Sequence, residues 1–247
     1  MTDDGALELL VARIEAPGHN GGSSSIPSDV TGELARLLQW WRAVGSTVVP
    51  VAAHPRPSAA ASSFDDGISA AERAIDGGAS LLVAPADTPD EIAARAAVSL
   101  LARRDPSAVV YQRPAMADAE WMAVVAGVRD RSASCAQLRG EPLALARSLD
   151  DGRIAWTVGM LLASAARRTP CLIDGTSAWA AALVADRLCH RAHGWWRPGS
   201  TSSDPARDAA MDRVDLRDAL PLGLTDDAGR GASATLDLLR SVAEPPG

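Results

Sequence analysis

Not one lysine occurs in the 247 residues, and all 24 basic side chains are arginine. Acidic residues number 31, giving a formal net charge of −7. That balance argues against a general binder of nucleic acid or of anionic membranes. A local phosphate site remains open, because it needs only backbone N–H groups and one or two arginines. Aromatic residues are scarce at 4%, with a single Tyr and a single Phe beside 7 Trp. The core must then be built from closely packed Leu, Val, Ile and Ala, which favours helices laid on a sheet. Cysteine is nearly absent as well. Cys135, Cys171 and Cys189 are far apart and form no Cys-x-x-Cys, so neither a disulfide framework nor a zinc site is encoded. No apolar run approaches the roughly 18 residues that cross a bilayer, and the acidic opening Met1-Thr-Asp-Asp-Gly5 lacks the features of a signal peptide. The expectation is a soluble cytoplasmic protein.

What is present in quantity is apolar residues, at 47%, enough for one large domain or a domain with a small appendage. Residues 6–14 read as a short helix ending in the breaker-rich segment 16–25. Ser28 and Asp29 supply cap chemistry for a helix through Leu34, Leu37, Leu38 and Trp41. Residues 47–52 read as a strand that Pro50 confines to an edge, and residues 53–63 as loop. A regular alternation follows: helix 65–76, strand 80–84, helix 89–103, strand 108–111, helix 117–128, helix 154–166, strand 169–174 and helix 178–189. Short apolar strands separated by helices imply βαβ units with a parallel sheet covered on both faces. Pockets in such sheets lie at the carboxyl ends of the strands, here residues 84–89, 112–114 and 174–176.

Several residues invite two readings. Asp174-Gly175 ends a strand and suits either a ribose hydroxyl or the cap of a helix beginning near Thr176. Asp226 and Asp227, followed by Gly229-Arg230-Gly231, suit either a phosphate held by Arg230 at a helix N-terminus or a solvated turn. His190 and His193 have a spacing that metal ligands can share, but the sequence places no third ligand, so they read as surface histidines. The pairs Trp40-Trp41 and Trp195-Trp196 read as core or interface plugs that can mark a dimer face. Ser23–Ser25 and residues 200–203 read as flexible loops.

The run from Leu220 to Leu239 carries the most information. Its Leu-Pro-Leu-Gly-Leu-Thr-Asp-Asp-Ala-Gly-Arg-Gly-Ala-Ser resembles the Leu-Asp-Leu-Gly-Leu-Arg-Leu-Gly-Glu-Gly-Thr-Gly-Ala-Ala loop of the nicotinate-nucleotide:dimethylbenzimidazole phosphoribosyltransferase family. The resemblance spans most of residues 25–243 with one large gap after residue 45, where full-length members carry a segment that helps enclose the benzimidazole. It includes Pro27, Gly32 and Leu34 to Trp40, then Asp66 to Ala74 and Gly78 to Val83. The nearest stretch is Ala163 to Ala182, with Arg-Arg-Thr-Pro-Cys-Leu-Ile-Asp-Gly similar to the family's Arg-Arg-Val-Pro-Val-Val-Leu-Asp-Gly.

This likeness implies an α/β fold, a three-layer Rossmann-like parallel sheet flanked by helices with a small helical subdomain from the termini. Residues 1–45 then form the N-terminal helical segment, 46–190 the core, and 191–247 the C-terminal loop and helix. It also implies transfer of phosphoribose from nicotinate mononucleotide to a benzimidazole in cobalamin lower-ligand assembly, with no cofactor, no metal and typically a homodimer. Family members use a glutamate as general base. Ala228 stands at that position, and Ala86 replaces the glutamate of a second loop whose glycines are also gone; Pro85 and Pro89 remove two backbone donors there. The family's lysine falls near Val124. By position the likeness assigns substrate binding to Asp174, Gly175, Ser202, Asp204, Gly229, Arg230, Gly231 and Asp87. His54 has no counterpart in it. Two expectations follow: a degenerate, non-catalytic ligand-binding protein or partner of a full-length enzyme, or an active transferase using Asp227 or Asp87 as substitute base.

Overall fold

The computed structural model describes residues 3–16, 32–44, 49–58, 62–85, 91–149, 152–201, 203–216, 220–222 and 229–243. Two helices come first, α1 (Asp3–Glu15) and α2 (Gly32–Ala43), and then the edge strand β1 (Ala52–Ala53). The alternation that follows matches the sequence closely: α3 (Phe64–Asp76), β2 (Leu81–Val83), α4 (Glu91–Ala102) and α5 (Asp118–Cys135), then α6 (Pro142–Arg147), α7 (Arg153–Ala166), β3 (Cys171–Ile173) and α8 (Thr176–Leu188). Last come β4 (Trp196–Pro198), α9 (Pro205–Val214) and α10 (Arg230–Ala243). The strands pair in parallel in the order β1-β2-β3-β4.

Alternation along the strands builds the two cores. Leu81, Val83 and Leu172 point to one face and pack with α2 and α10, while Leu82, Cys171 and Ile173 point to the other. The second face carries the larger layer, α1 and α3 to α9. Helix α8 is buried along every residue from Thr176 to Asp186, enclosed by α4, α7 and α9. Small residues make the tightest contact: a Cβ on Gly67 of α3 would lie 1.9 Å from the Trp156 carbonyl oxygen, and one on Gly159 of α7 would lie 2.1 Å from that of Phe64. Ser63 caps α3 by accepting from the Asp66 N–H at 3.2 Å, and Asp66 accepts in turn from the Ser63 N–H at 3.0 Å.

Two expectations are corrected. Residues 108–111 do not form a strand. Asp105 accepts from the Ser107 N–H at 2.8 Å and Pro106 stands at the first turn, so Pro106–Val109 winds into a 3₁₀ turn. The acceptors a ladder would use are taken by side chains, the Val109 carbonyl by Arg95 and the Val110 carbonyl by Trp121. The tryptophan pairs bear out their reading as core plugs at three of their four members. Trp40, Trp41 and Trp196 are buried within the chain itself, Trp196 as the first residue of β4, and the Trp40 indole N–H donates to the Gly194 carbonyl at 3.3 Å. Ser200 lies in no loose loop; it is 1% exposed, and its neighbour Gly199 donates to the Ile173 carbonyl at 2.7 Å. Ser23–Ser25 fall outside the described residues. Among the described residues, no helix is long and apolar enough to cross a membrane.

Candidate functional site

The carboxyl ends of the four strands converge, in order, on His54, Ala84-Pro85, Asp174-Gly175 and Gly199-Ser200. Asp174 is at the centre, 1% exposed. Its Oδ1 accepts from the Arg207 guanidinium and from the Gly175 N–H at 2.9 Å. Its Oδ2 accepts from the Ala232 N–H at 3.0 Å, in the first turn of α10. The carboxylate thus fills the anion-favouring N-terminus of α10 with the protein's own charge. Toward α8 it accepts from the N–H of Gly175, the N-cap residue itself, while its other oxygen is turned to α10.

Gly231 makes this approach possible. A Cβ there would lie 2.2 Å from the Ser200 hydroxyl and 2.8 Å from Asp174 Oδ2. Thr235, one turn on, donates to the Gly199 carbonyl and ties α10 to the end of β4.

A second buried ion pair stands beside the first. Asp204 caps α9 by accepting from the Ala206 N–H at 2.8 Å, and both of its oxygens accept from Arg95 of α4, at 3.0 and 2.6 Å. Arg95 also reaches Glu91 at 2.6 Å, and Glu91 pairs with Arg113 at 3.3 Å. Burial opposes the Arg95 charge, but the hydrogen bonds to Asp204 and Glu91 outweigh it and raise its pKa. Glu91, Asp174 and Asp204 are each held by arginine.

His54 differs from these. With Pro55, Arg56, Val83, Ala84, Pro85, Gly229 and Ser233 it lines a cavity of about 60 Å³ at the ends of β1 and β2. Burial lowers its pKa, and the positive fields of Arg56 and Arg240 lower it further, so the imidazole is neutral at pH 7. The thiol of Cys171 is no nucleophile, because complete burial pushes its pKa far up.

Of the residues singled out in the sequence, Asp174, Gly175 and Gly231 come together directly, and Asp204 joins them through α9, which carries Arg207. Gly229 lines the cavity with a φ of +72°, and Arg230 is exposed at the start of α10. Ala86, Asp87, Ser202, Asp227 and Ala228 lie outside the described residues. Sequence reasoning missed Arg95, Arg207 and His54. Arg207 follows the helix-capping Asp204 by one turn, a spacing that points it back toward the cap, but its burial is a tertiary fact. His54 was visible only as an isolated histidine after a short strand.

The sequence model of the family described as "Phosphoribosyltransferase" matches residues 53–244. A nicotinate-nucleotide–dimethylbenzimidazole phosphoribosyltransferase of Streptomyces avermitilis is 35% identical over 187 residues, covering 74% of this chain and 50% of that protein. The enzyme of the same name from Mycobacterium ulcerans is 34% identical over 173 residues, 70% of this chain and 48% of its own. The chain spans about half the length of these curated relatives. Among solved structures, CobT from Thermus thermophilus superposes with a TM-score of 0.65 at 27% identity, covering 73% of this chain and 54% of that one. The chain belongs to the nicotinate-nucleotide–dimethylbenzimidazole phosphoribosyltransferase family.

Proposed function

We propose that this protein is a phosphoribosyltransferase relative that has lost glutamate-driven transfer and serves as a ligand-binding or partner subunit in cobalamin lower-ligand synthesis, within a homodimer or beside a full-length enzyme. Its candidate ligands are nicotinate mononucleotide and a benzimidazole, the substrates its relatives' names carry. The observation that supports the loss is that Asp174, Asp204 and Glu91, the described carboxylates around the strand ends, are all engaged by arginine. A general base must be free to take a proton from the attacking ring within hydrogen-bond reach. The alanines at 86 and 228 remove the family's own glutamates from the corresponding positions.

Incubating the pure chain with nicotinate mononucleotide and dimethylbenzimidazole tests this directly. The expected result is no α-ribazole phosphate and no released nicotinate, while a thermal shift with either compound supports binding. Product formation defeats the proposal.

One observation favours a second reading, in which transfer survives: His54 borders the cavity together with Gly229 and Ser233 at the start of α10, and its burial and the nearby arginines favour the neutral ring. A neutral imidazole is a competent general base. Under this reading product forms and His54→Gln abolishes it. Product that disappears with Asp227→Ala or Asp87→Ala, but persists with His54→Gln, assigns the base to those residues instead.

A further inference from the structure

Helix α8 ends far from the strand tips. Asp186 sits about 15 Å along it from Thr176, at roughly 1.5 Å of rise per residue. Beyond its last turn the chain winds into the 3₁₀ turn His190–Trp195. This turn is firmly seated, since Ala192 and the following Trp196 are fully buried and the segment packs on α7 and α8. The seating brings both histidines over Asp186. His190 Nδ1 lies 2.8 Å from Asp186 Oδ1, and His193 Nδ1 lies 3.5 Å from the same oxygen. The two rings are 4.4 Å apart at 59°. His193 Nδ1 is buried without a well-formed hydrogen bond. One ligand atom from each residue lies within 4.8 Å of the others.

We propose that Asp186, His190 and His193 form a binding site for a divalent transition ion, with Zn²⁺ the best match. A helix-end ion pair needs one histidine on one carboxylate; here two imidazoles present the same nitrogen to one oxygen. The donor set is two imidazole nitrogens and one carboxylate oxygen, which suits Zn²⁺ and its first-row neighbours rather than Mg²⁺ or Ca²⁺. Bonds of about 2.0–2.2 Å to a tetrahedral ion place adjacent ligand atoms about 3.3 Å apart. Reaching that arrangement takes adjustments of the order of 1 Å, available to His190, whose side chain is 74% exposed. Asp186, with its side chain 7% exposed, is the fixed member. The exposed side of the cluster leaves a fourth position to water or an external ligand. Cys189, between these residues in sequence, is not among the converging atoms. The site is independent of the strand-end pocket and of what that pocket does.

Zn²⁺ titration of the untagged, metal-stripped full chain against a chromophoric chelator tests the proposal, with Co²⁺ as a spectroscopic substitute. One equivalent should bind, and Co²⁺ should give the visible absorption of a low-coordinate nitrogen–oxygen site. His190→Ala and His193→Gln should each weaken binding at least about tenfold, the smallest loss usual even for an outer-shell partner. His54→Ala should leave it unchanged. Because His190 is on the surface, circular dichroism of His190→Ala should match the parent. Failure of the parent chain to bind, or equal binding by His190→Ala, overturns the assignment.

Discussion

The two ends of α8 treat a buried aspartate in opposite ways. At the N-terminal end, Asp174 accepts from the Arg207 guanidinium and from two backbone N–H groups, and it is sealed under Gly231 and Ser200. At the C-terminal end, Asp186 is nearly as buried but faces two imidazoles, one of them mostly in solvent. The first carboxylate is consumed by the fold: it closes an ion pair and fills the end of α10. The second remains able to share its oxygen with a ligand. Burial alone therefore does not identify a functional carboxylate; what its neighbours can give up decides it. Guanidinium is permanently charged and keeps its partner, whereas imidazole can release a proton and offer a lone pair.

Removing Arg207 should break this comparison most severely. Arg207→Ala strands a buried carboxylate and should cost about 3–5 kcal/mol in urea unfolding. A loss under about 1 kcal/mol would mean that Asp174 is not held as described. Gly231→Ala should come next. Its methyl group must displace Ser200 and push Asp174 from the Ala232 N–H, at about 1–3 kcal/mol, read from the same denaturation midpoint. Asp186→Asn, at the other end, should cost only about 1 kcal/mol in metal-free protein, because it weakens hydrogen bonds to a solvated ring.

The smallest effect concerns the strand-end pocket. His54 should titrate below the usual histidine value of 6.5 in an NMR pH series, and Arg56→Ala should move its midpoint upward. The unfolded chain takes up this proton near 6.5, before the folded one does. Stability is therefore unaffected above that pH and falls as pH drops toward the folded midpoint. His54→Gln should remove that part of the acid loss. An unshifted midpoint would show that Arg56, Arg240 and burial do not act on the ring.

Much of the scaffold was legible because strong periodicity survives in the local sequence. Helices α3, α4, α7 and α8 and strands β2 and β3 follow from apolar spacing and from breakers at their ends. β4 was missed because Trp196-Arg197-Pro198 is only three residues long and ends in a proline; as the edge of the described sheet it tolerates that proline. Residues 108–111 misled for the opposite reason. Their β-branched run reads as a strand, but a capped Pro106 turn and the reach of Arg95 and Trp121 satisfy the backbone elsewhere. Within the site, Asp174-Gly175 and Gly229–Gly231 were visible as a strand end and a helix start, but not the charge partners that link them to α4 and α9.

By itself the sequence determined the family, the parallel α/β plan, the absence of lysine, and alanine at 86 and 228. These are properties of residue order, and local periodicity expresses them without any distant contact. Only the tertiary structure decided that Asp174 is closed by Arg207 while Asp186 is met by His190 and His193. Residues 174 and 207 come together only when α9 is laid against α8. The histidine pair, read from its spacing as a surface feature, gains its third member only when the 3₁₀ turn folds back over the end of α8. Electrostatic partnership depends on separations of a few ångströms in space, which spacing along the chain does not fix.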